Sequence, residues 1–290
     1  KIIGQDQLDM VSIQQKGAIN VQSSTRSAQT SSILSQAGIY FHIGSLEPYG
    51  SVLKEELDSY SRLKKIDLSN GNAVYDFGRY RTEVKNGKEV THVENYYEDA
   101  SFQLVDTHKR DLYLWLVPIT MLSMAKTIHQ NLVELYPERK KLYDQHLAFL
   151  ENELISLDAK YQDLANQLVK EKKRIAFVSV TSSFGSWQKA YGFEIYPLVL
   201  SKYGVLPNRK QLDFIKEKIK QNKVNYIVHE ENLSQEMEDL YQKVKKELNL
   251  KEVSLSNLSS KPVTDKNKQK DYVSIMYENY NHLVNMVESK

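Results

Sequence analysis

The order of apolar and polar positions divides the chain into three stretches. In the first, short apolar runs alternate with polar turns. Residues 8–14 and 38–43 read as strands, and residues 65–68 as a third, closed by Asn70-Gly71. Between them, residues 27–35 read as a short helix and residues 47–60 as a longer one with Val52, Leu53 and Leu57 on one face. Strands separated by helices of this size predict parallel βαβ units. Residues 82–95 break the rhythm. Val84, Val90 and Val93 flank Asn86-Gly87, a dipeptide suited to the positive φ values of a type I′ turn, so a β-hairpin excursion from the first lobe is predicted.

The second stretch carries the strongest periodic signal. Leu142, Leu147, Leu150, Leu154, Leu157, Tyr161, Leu164 and Leu168 recur at spacings of mostly three and four, and no glycine or proline interrupts residues 138–170. Pro137 suits a helix start, where its missing N–H costs nothing. The pattern predicts one amphipathic helix of ~50 Å. A coiled-coil arm would need a matching stripe on a partner. A rigid strut between two lobes needs only the domain that follows, and is the reading adopted.

That third stretch alternates again. Strands are predicted at 174–180, 193–200, 224–228 and 252–255. Helices are predicted at 183–191, 209–221, 234–248 and 271–287, with a polar, basic loop at 259–270. The run Ile175-Ala176-Phe177-Val178 is apolar on both faces, as expected of a strand covered on both sides. The whole predicts an α/β protein: two lobes with parallel-type sheets joined by one long backbone helix, and a ligand cleft between them. The lobes are residues 1–117 and 173–290, with helices across 118–172.

Composition narrows the chemistry. The 290 residues carry 39 Lys plus Arg against 37 Asp plus Glu, a net charge of +2 that gives no electrostatic footprint for nucleic acid. There is no cysteine, which removes disulfides, thiol nucleophiles and cysteine-based metal sites together. No serine-hydrolase elbow, P-loop, dinucleotide fingerprint or His-Glu-x-x-His motif is present, so no enzyme is expected. His229-Glu230-Glu231 has only the first two letters of the last motif, with Leu233 where the second histidine would stand. The seven histidines fall at no chelating spacing; His42 and His229 lie at predicted carboxyl ends of strands, one in each lobe. Tyr96-Tyr97, Tyr113 and Trp115 read either as core packing or as the wall of a pocket for an organic ligand.

Six segments, in order, resemble one family. They are Ala37-Gly38-Ile39-Tyr40-Phe41-His42-Ile43-Gly44-Ser45-Leu46-Glu47-Pro48-Tyr49; Lys65-Ile66-Asp67-Leu68-Ser69-Asn70-Gly71; Asp111-Leu112-Tyr113-Leu114-Trp115-Leu116-Val117-Pro118; Phe184 with Lys189-Ala190-Tyr191-Gly192; Val228-His229-Glu230-Glu231-Asn232-Leu233-Ser234; and Asp271-Tyr272-Val273-Ser274-Ile275-Met276-Tyr277-Glu278-Asn279. With the strut helix, they resemble the zinc/manganese-type solute-binding proteins of bacterial ABC importers, a family that includes streptococcal surface adhesins. The resemblance implies an extracytoplasmic protein at the cell surface or in the periplasm, lipid-anchored through a segment absent from this chain. It implies an ABC permease and its ATPase as partners, with an extracellular or host protein as a further one. It also implies that the family's opening strand and helix precede Lys1.

The family's metal-ligand positions are substituted. Val21 or Gln22 stands for the first histidine, Tyr113 for the second, Thr181 for the third ligand, and about Ser256 for the acidic fourth. Glu230 alone keeps a carboxylate at a cleft-facing motif position. Neutral oxygens of Tyr, Thr, Ser and Gln are poor ligands for zinc or manganese, which take imidazole, thiolate or carboxylate. The expectation is a binding protein with an altered, non-metal site at Gln22, Tyr113, Thr181, Glu230 and Ser256, with His42, Trp115 and His229 as further cleft residues and no cofactor. The alternatives are a ligand-free adhesin or interaction scaffold, and zinc or manganese binding through Glu230 with His229 or His42.

Overall fold

The computed structural model describes residues 28–44, 50–231, 233–259 and 270–289. The strand expected at 8–14, the site position Gln22 and nearly all of the basic loop at 259–270 lie outside them.

The first body is a βαβ unit. Helix α1 (Ala28–Gln36) leads into β1 (Ile39–His42), and α2 (Gly50–Ser59) into β2 (Lys64–Asp67). The two strands pair in parallel, Ile39 opposite Lys64 and His42 opposite Asp67. Leu34, Leu57 and Leu63 form its core on one side; Ile43, Leu68, Leu114 and Met124 form it on the other. The expected hairpin follows as β3 (Arg79–Lys85) and β4 (Lys88–Glu94). Asn86 and Gly87 have φ of 53° and 75°, the two left-handed positions of a type I′ turn.

Helix α3 (Pro118–Leu135) opens on proline, and the single turn Pro137–Arg139 starts α4 (Lys140–Lys170). At 1.5 Å per residue α4 is ~46 Å long. Its first half lies along α3, tied by Lys126–Glu151 at 2.6 Å and His129–Asp144 at 2.9 Å. Leu157, Tyr161, Leu164 and Leu168 enter the core of the second body, and Tyr161 donates to the Met276 carbonyl at 2.9 Å. One helix thus serves both bodies, as the strut reading requires. The first predicted stripe position is corrected. Leu142 is 38% exposed and Tyr143 is 1% exposed. Tyr143 begins a strict alternation of four and three through 147, 150, 154, 157, 161, 164 and 168, and Leu142 falls off that register.

In the second body, β5 (Lys173–Arg174) and β6 (Ala176–Ser179) replace the single strand expected at 174–180. Then come α5 (Ser186–Tyr191), β7 (Glu194–Pro197), α6 (Arg209–Gln221), β8 (Tyr226–His229), α7 (Gln235–Leu248), β9 (Lys251–Ser254) and α8 (Tyr272–Val284). The expected terminal helix ends early, and β10 (Glu288–Ser289) pairs antiparallel with β5. Caps explain the sharp helix starts: Asn208 and Asp271 form capping boxes, and Ser234 accepts from the Met237 N–H.

The sheet order is β7-β6-β8-β9, with all neighbours parallel. The chain moves outward from β6 to β7, then crosses back over β6 to reach β8. The direction reverses between β6 and β8, and ligand crevices in open α/β sheets form outside the carboxyl ends of strands at such a point. Here those ends deliver Thr181 and Glu230.

Candidate functional site

Glu230 follows the last residue of β8 and is 1% exposed. Its Oε1 accepts from the Thr181 N–H at 2.8 Å. Its Oε2 accepts from the Thr181 hydroxyl, from the Ser183 hydroxyl at 2.9 Å and from the Asn257 amide at 3.2 Å. The Thr181 and Ser183 hydroxyls also touch, and Asn257 Nδ2 lies 3.0 Å from Ser183 Oγ. A carboxylate offers about four lone-pair sites, and four donors from the protein meet these two oxygens. All four are neutral.

Tyr113 arrives from the other side, on the loop before α3. Its phenol lies in hydrogen-bonding reach of Ser183 and close to Glu230. Burial, then the adjacent Glu230 charge, hold its pKa well above that of an ordinary tyrosine. Trp115 packs its ring 5.2 Å from that of Tyr113 and donates Nε1–H to the Asn257 carbonyl at 2.9 Å. Asp111, at the head of the same loop, is 3% exposed. It accepts from the Tyr113 N–H at 2.8 Å and from the Ser186 N–H, and burial pushes its carboxyl up to about 7.

The fold therefore brings Tyr113, Thr181, Glu230 and Trp115 into one cluster. It does not bring Ser256 into contact with Glu230. Ser256 exchanges hydrogen bonds with the Asn279 side chain on α8, through its N–H at 2.9 Å and its carbonyl at 2.8 Å. The next residue, Asn257, supplies the amide instead. Neither histidine is among the partners of Glu230. His229 precedes it on the strand and faces the opposite side, toward Glu238 at 3.2 Å and the Tyr241 ring. His42 accepts from the Gly44 N–H at 3.0 Å and stacks on Tyr40. Among the described residues no three His, Asp or Glu side chains gather as a metal-holding group. Gln22 lies outside the described residues.

Ser183 and Asn257 were not legible as site residues. Asn257 had one signal: it stands just past the carboxyl end of β9, in the loop that faces the crevice. The paired Tyr96 and Tyr97 belong to the core, 6% and 3% exposed, with Tyr97 donating to the Pro197 carbonyl at 2.9 Å. A cavity of about 550 Å³ opens beside them, and neither Tyr113 nor Glu230 lines it.

Two α/β bodies, a shared backbone helix and a cluster at the switch point where the bodies meet define the class of the metal-type solute-binding proteins. The model of the family described as "ZnuA: Zinc-uptake complex component A periplasmic" matches residues 1–286, and the chain belongs to that family. It is 27% identical over 172 residues to the zinc-binding lipoprotein AdcA of Streptococcus pneumoniae, a match covering 59% of this chain and 33% of AdcA. It is 23% identical over 229 residues to the high-affinity zinc uptake system protein ZnuA of Bacillus subtilis, covering 79% of this chain and 68% of that protein. The chain thus matches about a third of the length of that AdcA. Among solved structures, a ZnuA superposes with a TM-score of 0.72 at 20% identity, covering 98% of this chain and 93% of the other. The laminin-binding protein Lmb of Streptococcus agalactiae, described as having adhesin and metal-transporting activity, superposes at 0.71 and 18% identity, covering 98% and 94%. These likenesses establish the two-lobed fold.

Proposed function

We propose that this protein is an extracytoplasmic solute-binding component of an ABC importer whose inter-lobe site does not take zinc or manganese. The observation that carries the reading is the set of donors on Glu230. A divalent ion entering there would displace four neutral hydrogen bonds and gain a single carboxylate. Neutral hydroxyl and amide groups do not offset the loss of the water around such an ion. Membership of the family supports a permease and ATPase as partners and a place outside the cytoplasm, and the name of the pneumococcal AdcA, a lipoprotein, supports a lipid anchor. Among the described residues no helix is long and apolar enough to cross a membrane. On this reading the protein binds a solute rather than transforming one, and Ser183 serves the Glu230 carboxylate and the Asn257 amide.

The test combines elemental analysis with thermal unfolding in zinc, in manganese and in chelator. A site binding at 100 times its Kd would stabilise the fold by ~2.7 kcal/mol. The expected result is no metal in the purified protein and coincident unfolding curves. Stoichiometric zinc or manganese, lost together with Glu230→Gln, would overturn the reading. The interaction-scaffold alternative is favoured by one feature, the complete use of the site by the protein's own groups.

A further inference from the structure

We infer that the cluster is a latch, in which Asn257 and the turn at residues 113–116 hold the two bodies in one arrangement with no solute between them. The inference rests on the altered-site reading above and specifies what the altered site does.

The turn divides its side chains between the two cores. Leu114, 2% exposed, packs with Ile43, Leu68 and Met124 of the first body. Leu116, 0% exposed, packs with Phe177, Phe184 and Trp187 of the second. Two residues apart, they leave no slack for one body to move without pulling a buried leucine from its core. Three hydrogen bonds then fix the turn to three separate elements of the second body. Trp115 Nε1 donates to the Asn257 carbonyl at 2.9 Å. Tyr272, at the start of α8, donates to the Trp115 carbonyl at 2.7 Å. Trp187, on α5, donates to the Leu116 carbonyl at 2.8 Å.

Asn257 joins this clamp to the buried carboxylate. Its main chain accepts from Trp115, its Nδ2 reaches Ser183 and Glu230, and its Oδ1 accepts from the Ser259 N–H at 3.0 Å. Every polar group of its side chain is spent on the protein. A ligand shifts an equilibrium between open and closed forms only by binding one of them better. Where the protein already supplies the bonds across the cleft, that differential is gone, and the joined form stands alone. Asn257 is a positioning residue: it acts through Glu230 and Trp115. The protein then presents the same surface to a membrane or protein partner whether or not any solute is present.

The absence of cysteine makes a direct test available. Glu55→Cys on α2 and Lys246→Cys on α7, both exposed positions, carry the only spin labels, and pulsed electron resonance reads the distance between the bodies. The expected result is one narrow distance distribution in chelator, unchanged in excess zinc or manganese. Asn257→Ala and Trp115→Phe, the second keeping the ring and losing only the indole donor, should each at least double its width. A broad or two-peaked distribution in chelator that ignores both metals would overturn the latch alone. One that narrows with zinc or manganese would overturn both the latch and the altered-site reading. Unchanged width in a folded Trp115→Phe protein would also sink the latch, whether or not Asn257→Ala folds.

Discussion

Asp111 gives the sharpest quantitative test of the junction between the bodies. Its carboxyl is 3% exposed and, among the described residues, no cation acts on it; it accepts main-chain N–H groups from Tyr113 and Ser186, and tyrosines 75, 80, 96 and 113 lie near it. Burial raises its pKa from 3.8 to about 7, against the two backbone hydrogen bonds that pull the other way. A folded-state value above the unfolded one means that the folded state holds the proton longer. Its stabilising contribution is complete below the unfolded pKa and is lost as pH rises through about 7. The difference, 7 − 3.8 = 3.2, at about 1.36 kcal/mol for each, amounts to ~4 kcal/mol over the full window. Between the two values the slope is ~1.4 kcal/mol per pH unit.

The perturbation is Asp111→Asn, which keeps the shape and one acceptor oxygen and cannot ionise. Urea unfolding of both proteins from pH 5 to pH 8 measures the difference in slope. His108, whose pKa is lowered by burial and then by Lys202, works in the opposite direction, gaining stability as pH rises. Asp158, raised by burial, works in the same direction as Asp111. Both remain in the variant, so subtraction leaves Asp111 alone. The variant is expected to lose less stability with rising pH, and to overtake the parent by pH 8 by roughly 2–4 kcal/mol. Parallel pH profiles for the two proteins would refute the argument.

Three further substitutions test the packing. A Cβ on Gly185 would stand 2.7 Å from Asp111 Oδ2 and 2.9 Å from the Tyr96 hydroxyl, while the φ of −54° suits any residue. Gly185→Ala should therefore cost ~1–3 kcal/mol by crowding alone, read as a lower urea midpoint. On α4, Leu157→Ala should cost ~2–5 kcal/mol, and Leu142→Ala, one position off the buried register, well under ~1 kcal/mol. Equal losses at the two leucines would remove the strut's orientation.

The second body was the most legible part of the chain because its signals agree with one another. The helix α6 runs over the predicted residues because Asn208 caps its start and Leu212, Ile215 and Ile219 line one face. Leu142 was misread because the leucine was preferred at that end of the stripe to the adjacent Tyr143, although Tyr161 already stood in it. Only the phase of the stripe distinguishes Tyr143 from its neighbour. The long terminal helix was over-read because Met286, two residues past the helix end, is still buried, and the chain then goes on to pair β10 with β5. Glu230 and its partner Thr181 could be named from the sequence, while Ser183 and Asn257, which donate to the same carboxylate, could not. Ser183 and Asn257 are 74 residues apart in sequence and meet only because the parallel order β7-β6-β8-β9 turns the ends of β6, β8 and β9 to one side. No local pattern carries that information.

On the altered-site reading proposed above, the residues around Glu230 act as a set. A lone imidazole restored at Tyr113 would meet a carboxylate already engaged by Thr181, Ser183 and Asn257. An ion bound there would strip those donors of their acceptor inside a site where Glu230 is 1% exposed. Each donor left unpaired costs ~1–3 kcal/mol. On that reading the network that disfavours a cation also satisfies the carboxylate without one. Glu230 then serves as the acceptor for the Thr181 N–H and hydroxyl, the Ser183 hydroxyl and the Asn257 amide, groups from the loops that follow β6 and β9. Removing it should cost more than removing any one of its donors, since the Thr181 N–H would lose its acceptor and the Thr181, Ser183 and Asn257 side chains would be left only one another, while the loss of one donor leaves the other three in place.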